Sequence, residues 1–182
     1  GSKFYYLTLI MDLFNREIVG WSASDNLRTE STTLAALHRL IRERGKANLK
    51  GAIIHSDGGG QYYCTEFKTL TKSLEMINSM TEESVYENSH AERLNGVIKN
   101  NYLYLYGPKD LISLRKLLEK AVWMYNTGKP HTALGKLTPR AYLNKITVDT
   151  ENNSQKSYFP LSTVYHKHKL SNQISKKKVN VI

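Results

Sequence analysis

The stretch IIHSDGGGQY, residues 53–62, constrains this chain most, because a short apolar run ends in a carboxylate followed by three glycines. Ile53 and Ile54 predict a buried strand. Asp57 then lies just past the carboxyl end of that strand, where open α/β sheets place their ligands. The glycines remove side-chain bulk, so a phosphate backbone or a metal could approach closely. Ser-Asp-Gly is also ordinary turn chemistry, so a plain strand-to-helix turn and a functional site both stay open.

The composition is that of a globular protein with a basic surface. The 182 residues are 40% hydrophobic, which suffices for one domain with a core plus an extension. No run approaches the ~20 apolar residues of a membrane span. A single cysteine, Cys64, excludes an internal disulfide and a zinc cluster and fits a reducing compartment. No histidine partner marks Cys64 as a nucleophile.

The charge balance favours a polyanionic partner. The formal net charge is +10 and the sequence pI about 9.6, which points most simply to nucleic acid. No acidic residue follows Glu151, and a solubilising tail and a phosphate-binding tail are both open interpretations of the end of the chain. That end carries Lys156, Lys167, Lys169, Lys176, Lys177 and Lys178.

The hydrophobic pattern predicts a mixed α/β sheet with helices packed on it. A hairpin comes first, followed by helices alternating with short strands. Thr29 is a plausible cap of the first helix and Gly45 its stop, and Gly107-Pro108 ends a later helix. The predicted order is strands 4–13 and 17–23, helix 28–44, strand 51–55, helix 63–73, strand 75–79, loop 80–88, helices 89–106 and 111–126, and a turn-rich segment 127–144.

The helix predicted at 89–106 places a second acid on an exposed stripe. At ~100° per residue, Glu92, Asn95 and Lys99 fall together, one and two turns apart. Glu92 lies in the first turn, where the positive end of the helix favours a carboxylate. Taken alone, such a stripe usually means only a solvated helix face. The side expected to pack on the sheet holds Ala91, Leu94, Ile98, Tyr102 and Leu105.

Asp57 and Glu92, with 92 − 57 = 35, belong to a longer set of motifs. HSDGGGQY and ENSHAERLNGVIK resemble the catalytic domain of the retroviral integrase and bacterial insertion-sequence transposase superfamily. LTLIMDLFNREIVGWS, SMTEESVYEN and YNTGKPHTALGKLTPRAYL extend the resemblance over roughly residues 4–144. Several motifs in the right order make it specific. We therefore expect an integrase-like core at 1–144 and a basic C-terminal extension at 145–182.

The resemblance implies a ribonuclease-H-like sheet flanked by helices, with an Asp, Asp, Glu metal site. Asp57 is similar to the second acid and Glu92 to the third, and the intact site would bind two Mg²⁺ or Mn²⁺ ions. Asn95 and Lys99 match the helix that faces DNA. Gln61 and Tyr62 would border the pocket. Residues 80–88 resemble a mobile loop that orders over substrate.

The implied activity is metal-dependent DNA 3′-end cleavage and strand transfer. The implied partners are transposon-end and target DNA, with a homo-oligomer assembled on the DNA, in the bacterial cytoplasm and away from membranes. Two alternatives stay open. One is a DNA-binding or assembly module without catalysis, and the other is a ribonuclease-H-like nuclease that cleaves without joining strands.

The family carries its first acid on a strand that precedes the hairpin, whereas this sequence starts at the hairpin. We therefore expect the first strand and its Asp to be missing and the strand at 4–13 to have an unpaired edge. This polypeptide is expected to be inactive or nearly so, while the full-length protein is active. Asp12 fits a turn better than the triad. His55 fits a packed strand end better than a metal ligand. Trp21 and Trp123 are expected in the core.

Overall fold

The computed structural model describes residues 4–57, 59–80, 89–153 and 178–181. In that part of the chain, helices cover both faces of a mixed sheet, so the predicted α/β class is confirmed. A π-helical turn, Lys99–Leu103, joins two of the helices. The strands and helices are β1 Tyr6–Asp12, β2 Ile18–Ser24, α1 Thr33–Arg44, β3 Ile53–Ser56, α2 Thr65–Ser73, β4 Ile77–Met80, α3 Ser89–Ile98, α4 Tyr104–Tyr106, α5 Leu111–Gly128, α6 Pro139–Asn153 and β5 Lys178–Val181.

The strand order is β2-β1-β5-β3-β4. β1 and β2 form the predicted antiparallel hairpin, and β3 and β4 run parallel. Consecutive side chains of β1 point to opposite faces, as the period of a strand requires. Ile10 therefore joins the core under α1 and α2, while Leu9 and Met11 join the core under α3 and α5.

β5 lies in the centre of the sheet, antiparallel to β1 and parallel to β3. It pairs with Ile10–Asp12 of β1, so the expectation of an unpaired β1 edge is wrong for these residues. The alternation in KVNV, valine at every second position, is typical of a strand but too short to predict one. The expected division at residue 144 stays a prediction, although α6 runs through that position.

The ends of the helices follow from local chemistry. Gly45, with φ 74°, ends α1 as predicted, because glycine adopts positive φ without strain. Thr32, and not Thr29, is the residue at the start of α1. The first turns of α6, from Pro139 on, occupy the end of the segment 127–144 predicted to be turn-rich, so that prediction is wrong for residues 139–144. Just before the helix, Thr138 Oγ1 accepts a hydrogen bond from Ala141 N at 3.2 Å. Proline at the first helical position is a start signal, so this helix was predictable.

The π-helical turn changes which side chains of the long helix face the sheet. Leu103 is buried, at 4% exposed, whereas Leu105 is 72% exposed, so the prediction that Leu105 packs on the sheet is wrong. A π-helical turn takes an extra residue, which rotates every later side chain away from a regular 3.6-residue period. Ala91, Leu94 and Ile98 are buried before the turn, and Tyr102 within it packs partly buried against the same core, so these four residues follow the predicted face.

Two further expectations concern large side chains. Trp123 is 60% exposed on α5, so its prediction as a core residue is wrong. Trp21 is half-buried, with the guanidinium carbon of Arg39 lying 4.6 Å from its ring centroid. Among the helices in the described ranges, none combines the length and the apolar character that crossing a membrane requires.

Candidate functional site

Asp57 is exposed and lies directly after β3, as predicted. Its Oδ1 accepts a hydrogen bond from Gly59 N at 3.1 Å, which forms a local turn. β3 is held between β5 and β4, so the strand that positions Asp57 is internal to the sheet. The carboxylate therefore projects at the carboxyl end of a well-supported strand, where a ligand could reach it.

Glu92 is exposed in the first turn of α3. Asn95 is half-buried one turn later, and Lys99 is exposed at the start of the π-helical turn. The buried residues Ala91, Leu94 and Ile98 fix the opposite side of this helix against the sheet. The predicted polar stripe is thus accessible to solvent, with the Glu92 carboxylate near the amino terminus of the helix and the Lys99 ammonium group about two turns later.

The described residues contain no group of three His, Cys, Asp or Glu side chains that could hold a metal ion. Asp57 and Glu92 are two oxygen donors of the kind that Mg²⁺ prefers. A two-ion site needs a carboxylate shared between ions roughly 3.5–4 Å apart. Asp57 and Glu92 are therefore two exposed carboxylates of the donor type that such a site requires.

Asp12 is too far from Asp57 to act as a third donor. Asp12 is level with Val179, and Val179 is level with Ile54, three residues before Asp57. With a rise of ~3.3 Å per residue and strands ~4.8 Å apart, the backbones of Asp12 and Asp57 lie roughly 14 Å apart. The carboxylate also accepts hydrogen bonds from Phe14 N at 3.0 Å and from Arg44 Nη2 at 3.3 Å. Asp12 is the turn residue that the sequence predicts.

Gln61 and Tyr62 follow Asp57 in a 3₁₀ turn, Gly60–Tyr62. Gln61 is half-buried, and its carbonyl oxygen accepts a hydrogen bond from Thr33 Oγ1 at 3.4 Å. Tyr62 is only 7% exposed and packs edge-on against Phe67, with ring centroids 5.6 Å apart. Burial and the nearby Asp57 carboxylate raise the pKa of the Tyr62 hydroxyl. Tyr62 therefore borders the Asp57 loop as a core residue, with little ring surface for DNA.

His55 and Cys64 both have hydrogen-bond partners that give them structural roles. His55 is buried, and its Nδ1 lies 3.0 Å from Ser79 Oγ on β4, which fits the packed strand end. Cys64 caps α2, where its Sγ accepts a hydrogen bond from Phe67 N at 3.4 Å. Residues 81–88, most of the predicted mobile loop, lie outside the described residues.

One cation near Glu92 was missed by sequence reasoning. Arg16, in the hairpin turn with φ 62°, places Nη1 3.3 Å from Nδ1 and 3.4 Å from Nε2 of His90, in the first turn of α3. The contact joins residues 74 apart in sequence, so no local pattern could reveal it. It ties the helix that carries Glu92 to the hairpin.

Two family models, both described as an integrase core domain, match the chain over residues 1–83 and residues 74–139. An insertion element IS600 protein of 31 kDa from Shigella sonnei, described as uncharacterized, is 29% identical over 145 residues, which is 77% of this chain and 51% of that protein. Transposase InsF for insertion sequence IS3A from Escherichia coli K12 is 27% identical over 146 residues, 77% of this chain and 48% of that protein. The chain spans about half the length of the curated relatives it matches.

Solved structures share the fold. The HTLV-2 integrase catalytic core domain in complex with magnesium, in its trimeric form, matches with a TM-score of 0.59 and 23% identity, over 78% of this chain and 88% of that one. A chain of the simian T-cell lymphotropic virus intasome in complex with PP2A regulatory subunit B56 gamma matches with a TM-score of 0.64 and 18% identity, over 97% of this chain and 55% of that one. The fold is thus the ribonuclease-H-like fold of integrase catalytic cores.

The matched families, relatives and fold agree with each other. The two integrase core models together span residues 1–139, and on that basis the chain is assigned to the integrase core domain family. The resemblance stated from its motifs is confirmed.

Proposed function

We propose that this chain is the catalytic core of an insertion-sequence transposase, which performs metal-dependent DNA 3′-end cleavage and strand transfer in the full-length protein. The observation that carries the proposal is Asp57, exposed at the carboxyl end of an internal strand of an integrase-core sheet. Glu92, exposed in the first turn of α3, would be its partner.

Asp57 and Glu92 would hold Mg²⁺ or Mn²⁺, since both side chains are exposed oxygen donors. When bound, two such ions supply an activated water or 3′-hydroxyl and stabilise the leaving oxygen. The chain's own residues position the DNA. Lys99 would attract a phosphate near the transferred end, while Asn95 and Gln61 would offer hydrogen bonds at the border of the site.

DNA is the proposed partner, both as transposon ends and as target, and a homo-oligomer on DNA is the proposed assembly. The net charge of +10 supports a polyanionic partner, because neutralising phosphates and releasing counterions drives such binding. The intasome among the structural matches supports assembly on DNA. The basic residues after 151 would add sequence-independent phosphate contacts.

Asp12 lies too far from Asp57 to complete a three-acid site, and the described residues hold no group of three side chains that could bind a metal ion. We therefore propose that the 182-residue chain alone binds DNA and cleaves it poorly. This keeps the DNA-binding or assembly module as a second function for the chain by itself, favoured by the lack of a three-donor group among the described residues.

The test is an assay of 3′-end cleavage and strand transfer on insertion-sequence-end DNA with Mn²⁺. The 182-residue chain should show little of either activity, while a version extended upstream to include the expected first strand should show both. Loss of activity in Asp57→Asn and Glu92→Gln of the extended protein is expected. Full activity in either variant would refute the assignment, and cleavage without joined products would favour the nuclease alternative.

A further inference from the structure

A groove next to Asp57 is not used by the proposed acid pair. It lies between α2 and the parallel strands β3 and β4, with a volume of about 520 Å³. That volume falls within the ~300–1,000 Å³ of pockets for small ligands. Ser56 lines the groove and Asp57 is the next residue, so the groove starts where the candidate acid stands.

The groove combines a fixed inner wall with an accessible apolar rim. Phe67 is 2% exposed and packs edge-on against Tyr62, which makes the inner wall rigid. At the rim, Tyr63 and Met80 are each 40% exposed. Asn78 is oriented by a hydrogen bond from its Nδ2 to Thr71 Oγ1 at 2.9 Å. A flat apolar ligand could therefore cover the exposed ring of Tyr63 without displacing the core.

Lys68 is the charged side chain among the described residues that line the groove. Lys68, on α2, places its Nζ 5.1 Å from the ring centroid of Tyr63. No carboxylate occurs among the described residues that line the groove. An aromatic ring with an ammonium group over it offers the two elements that hold single-stranded nucleic acid, since bases stack on rings and phosphates pair with cations.

We propose that this groove binds one unpaired nucleotide of the DNA strand that passes over Asp57, with its base against Tyr63 and its phosphate at Lys68. A base inside a duplex cannot enter, because its neighbours cover both its faces and its partner occupies its edge. The inference rests on the proposed function, and it adds that the site selects DNA whose bases next to the cleavage position are unpaired.

The preference can be measured without catalysis. Fluorescence anisotropy of the 182-residue chain, in Ca²⁺ or without metal, would compare a blunt duplex with the same duplex carrying three unpaired nucleotides at one end. We expect the unpaired end to bind about five- to tenfold more tightly, the lower part of the range for one stacked base. A 2-aminopurine in the unpaired segment should lose fluorescence on binding, because stacking quenches it.

Tyr63→Ala and Lys68→Ala should each remove most of this preference and of the quenching. Lys72→Ala is the matched charge control, since Lys72 is exposed one helical turn from Lys68 and does not line the groove. Loss of the Lys72 ammonium group should weaken the binding of both DNAs to the same extent. Tyr104→Ala, at a tyrosine that is 71% exposed on α4, is the matched aromatic control.

Equal affinity of the wild-type chain for the two DNAs, or a preference that survives Tyr63→Ala, would overturn the inference while leaving the proposed function standing. If the preference depends on Tyr63 but the extended protein does not cleave DNA, the proposed function would be overturned while the inference about the groove would stand. A wild-type chain that binds neither DNA would overturn both. Displacement of DNA by an apolar peptide laid along the edge strand β4, with no effect of the unpaired nucleotides, would assign the groove to a protein partner instead.

Discussion

Replacing Asn126 by alanine is expected to lower the free energy of unfolding by about 2–5 kcal/mol. Asn126 lies on α5 and is 3% exposed. Its Oδ1 accepts a hydrogen bond from Ile18 N at 2.9 Å, and its Nδ2 donates one to Ile18 O at 2.9 Å. β2 is at the edge of the sheet, so the amide supplies the pairing that a further strand would give.

The magnitude follows from what alanine leaves behind. The N–H and C=O of Ile18 would both lose their partner, and a buried unsatisfied group costs about 1–3 kcal/mol. Two such groups give about 2–6 kcal/mol, and some access of water reduces the upper value. For a chain of this size, 1 kcal/mol shifts Tm by roughly 2–4 °C, so a loss of about 2–5 kcal/mol lowers Tm by roughly 4–20 °C.

Urea denaturation followed by circular dichroism would measure the change. The midpoint should fall while the slope with urea stays constant, because the same surface is exposed on unfolding. Asn144→Ala is the matched control, since Asn144 is exposed on α6 and its loss should change stability by less than about 0.5 kcal/mol. A loss below about 1 kcal/mol for Asn126→Ala would refute the reasoning.

Three further outcomes are expected. Gly20→Ala should cost about 1–3 kcal/mol in urea denaturation, because its Cβ would meet Ala36 O at 2.5 Å, whereas Gly96→Ala, with open space, should not destabilise. Burial raises the pKa of Asp12 above its usual 3.8, although the Phe14 N–H and Arg44 act to lower it. The contribution of Asp12 to folding stability is therefore full below pH 3.8 and is lost as the pH rises through the raised pKa. Asp12→Asn should remove this pH dependence of stability. Deleting residues 178–182 should speed amide exchange in Ile53–His55, which pair with β5.

The fold could largely be predicted where one local signal decided it. The hairpin, β3 and α5 follow from hydrophobic period and turn chemistry, which act within a few residues. β5 could not be predicted, because a four-residue strand gains its pairing only from β1 and β3, far away in sequence. The π-helical turn could not be predicted either, because the sequence pattern of Lys99–Leu103 is compatible with a regular α-helix.

The candidate site likewise contains features that local sequence predicts and features that it does not. The positions of Asp57 and Glu92 were predictable because each stands at a defined point of its element, one after a strand and one in the first helical turn. The burial of Tyr62 depends on Phe67 packing against it across a turn, and the Arg16–His90 contact depends on how α3 lies against the hairpin. Both are tertiary results that local sequence does not encode.

Mn²⁺ binding, measured by electron paramagnetic resonance, tests the central claim most directly. The 182-residue chain should bind one ion weakly, and Asp57→Asn and Glu92→Gln should each weaken it by tenfold or more. Asp12→Asn should leave binding unchanged, since Asp12 is bonded to Arg44 and lies far from Asp57. Unchanged binding in Asp57→Asn, or lost binding in Asp12→Asn, would contradict the assignment of Asp57 and Glu92 as the metal ligands.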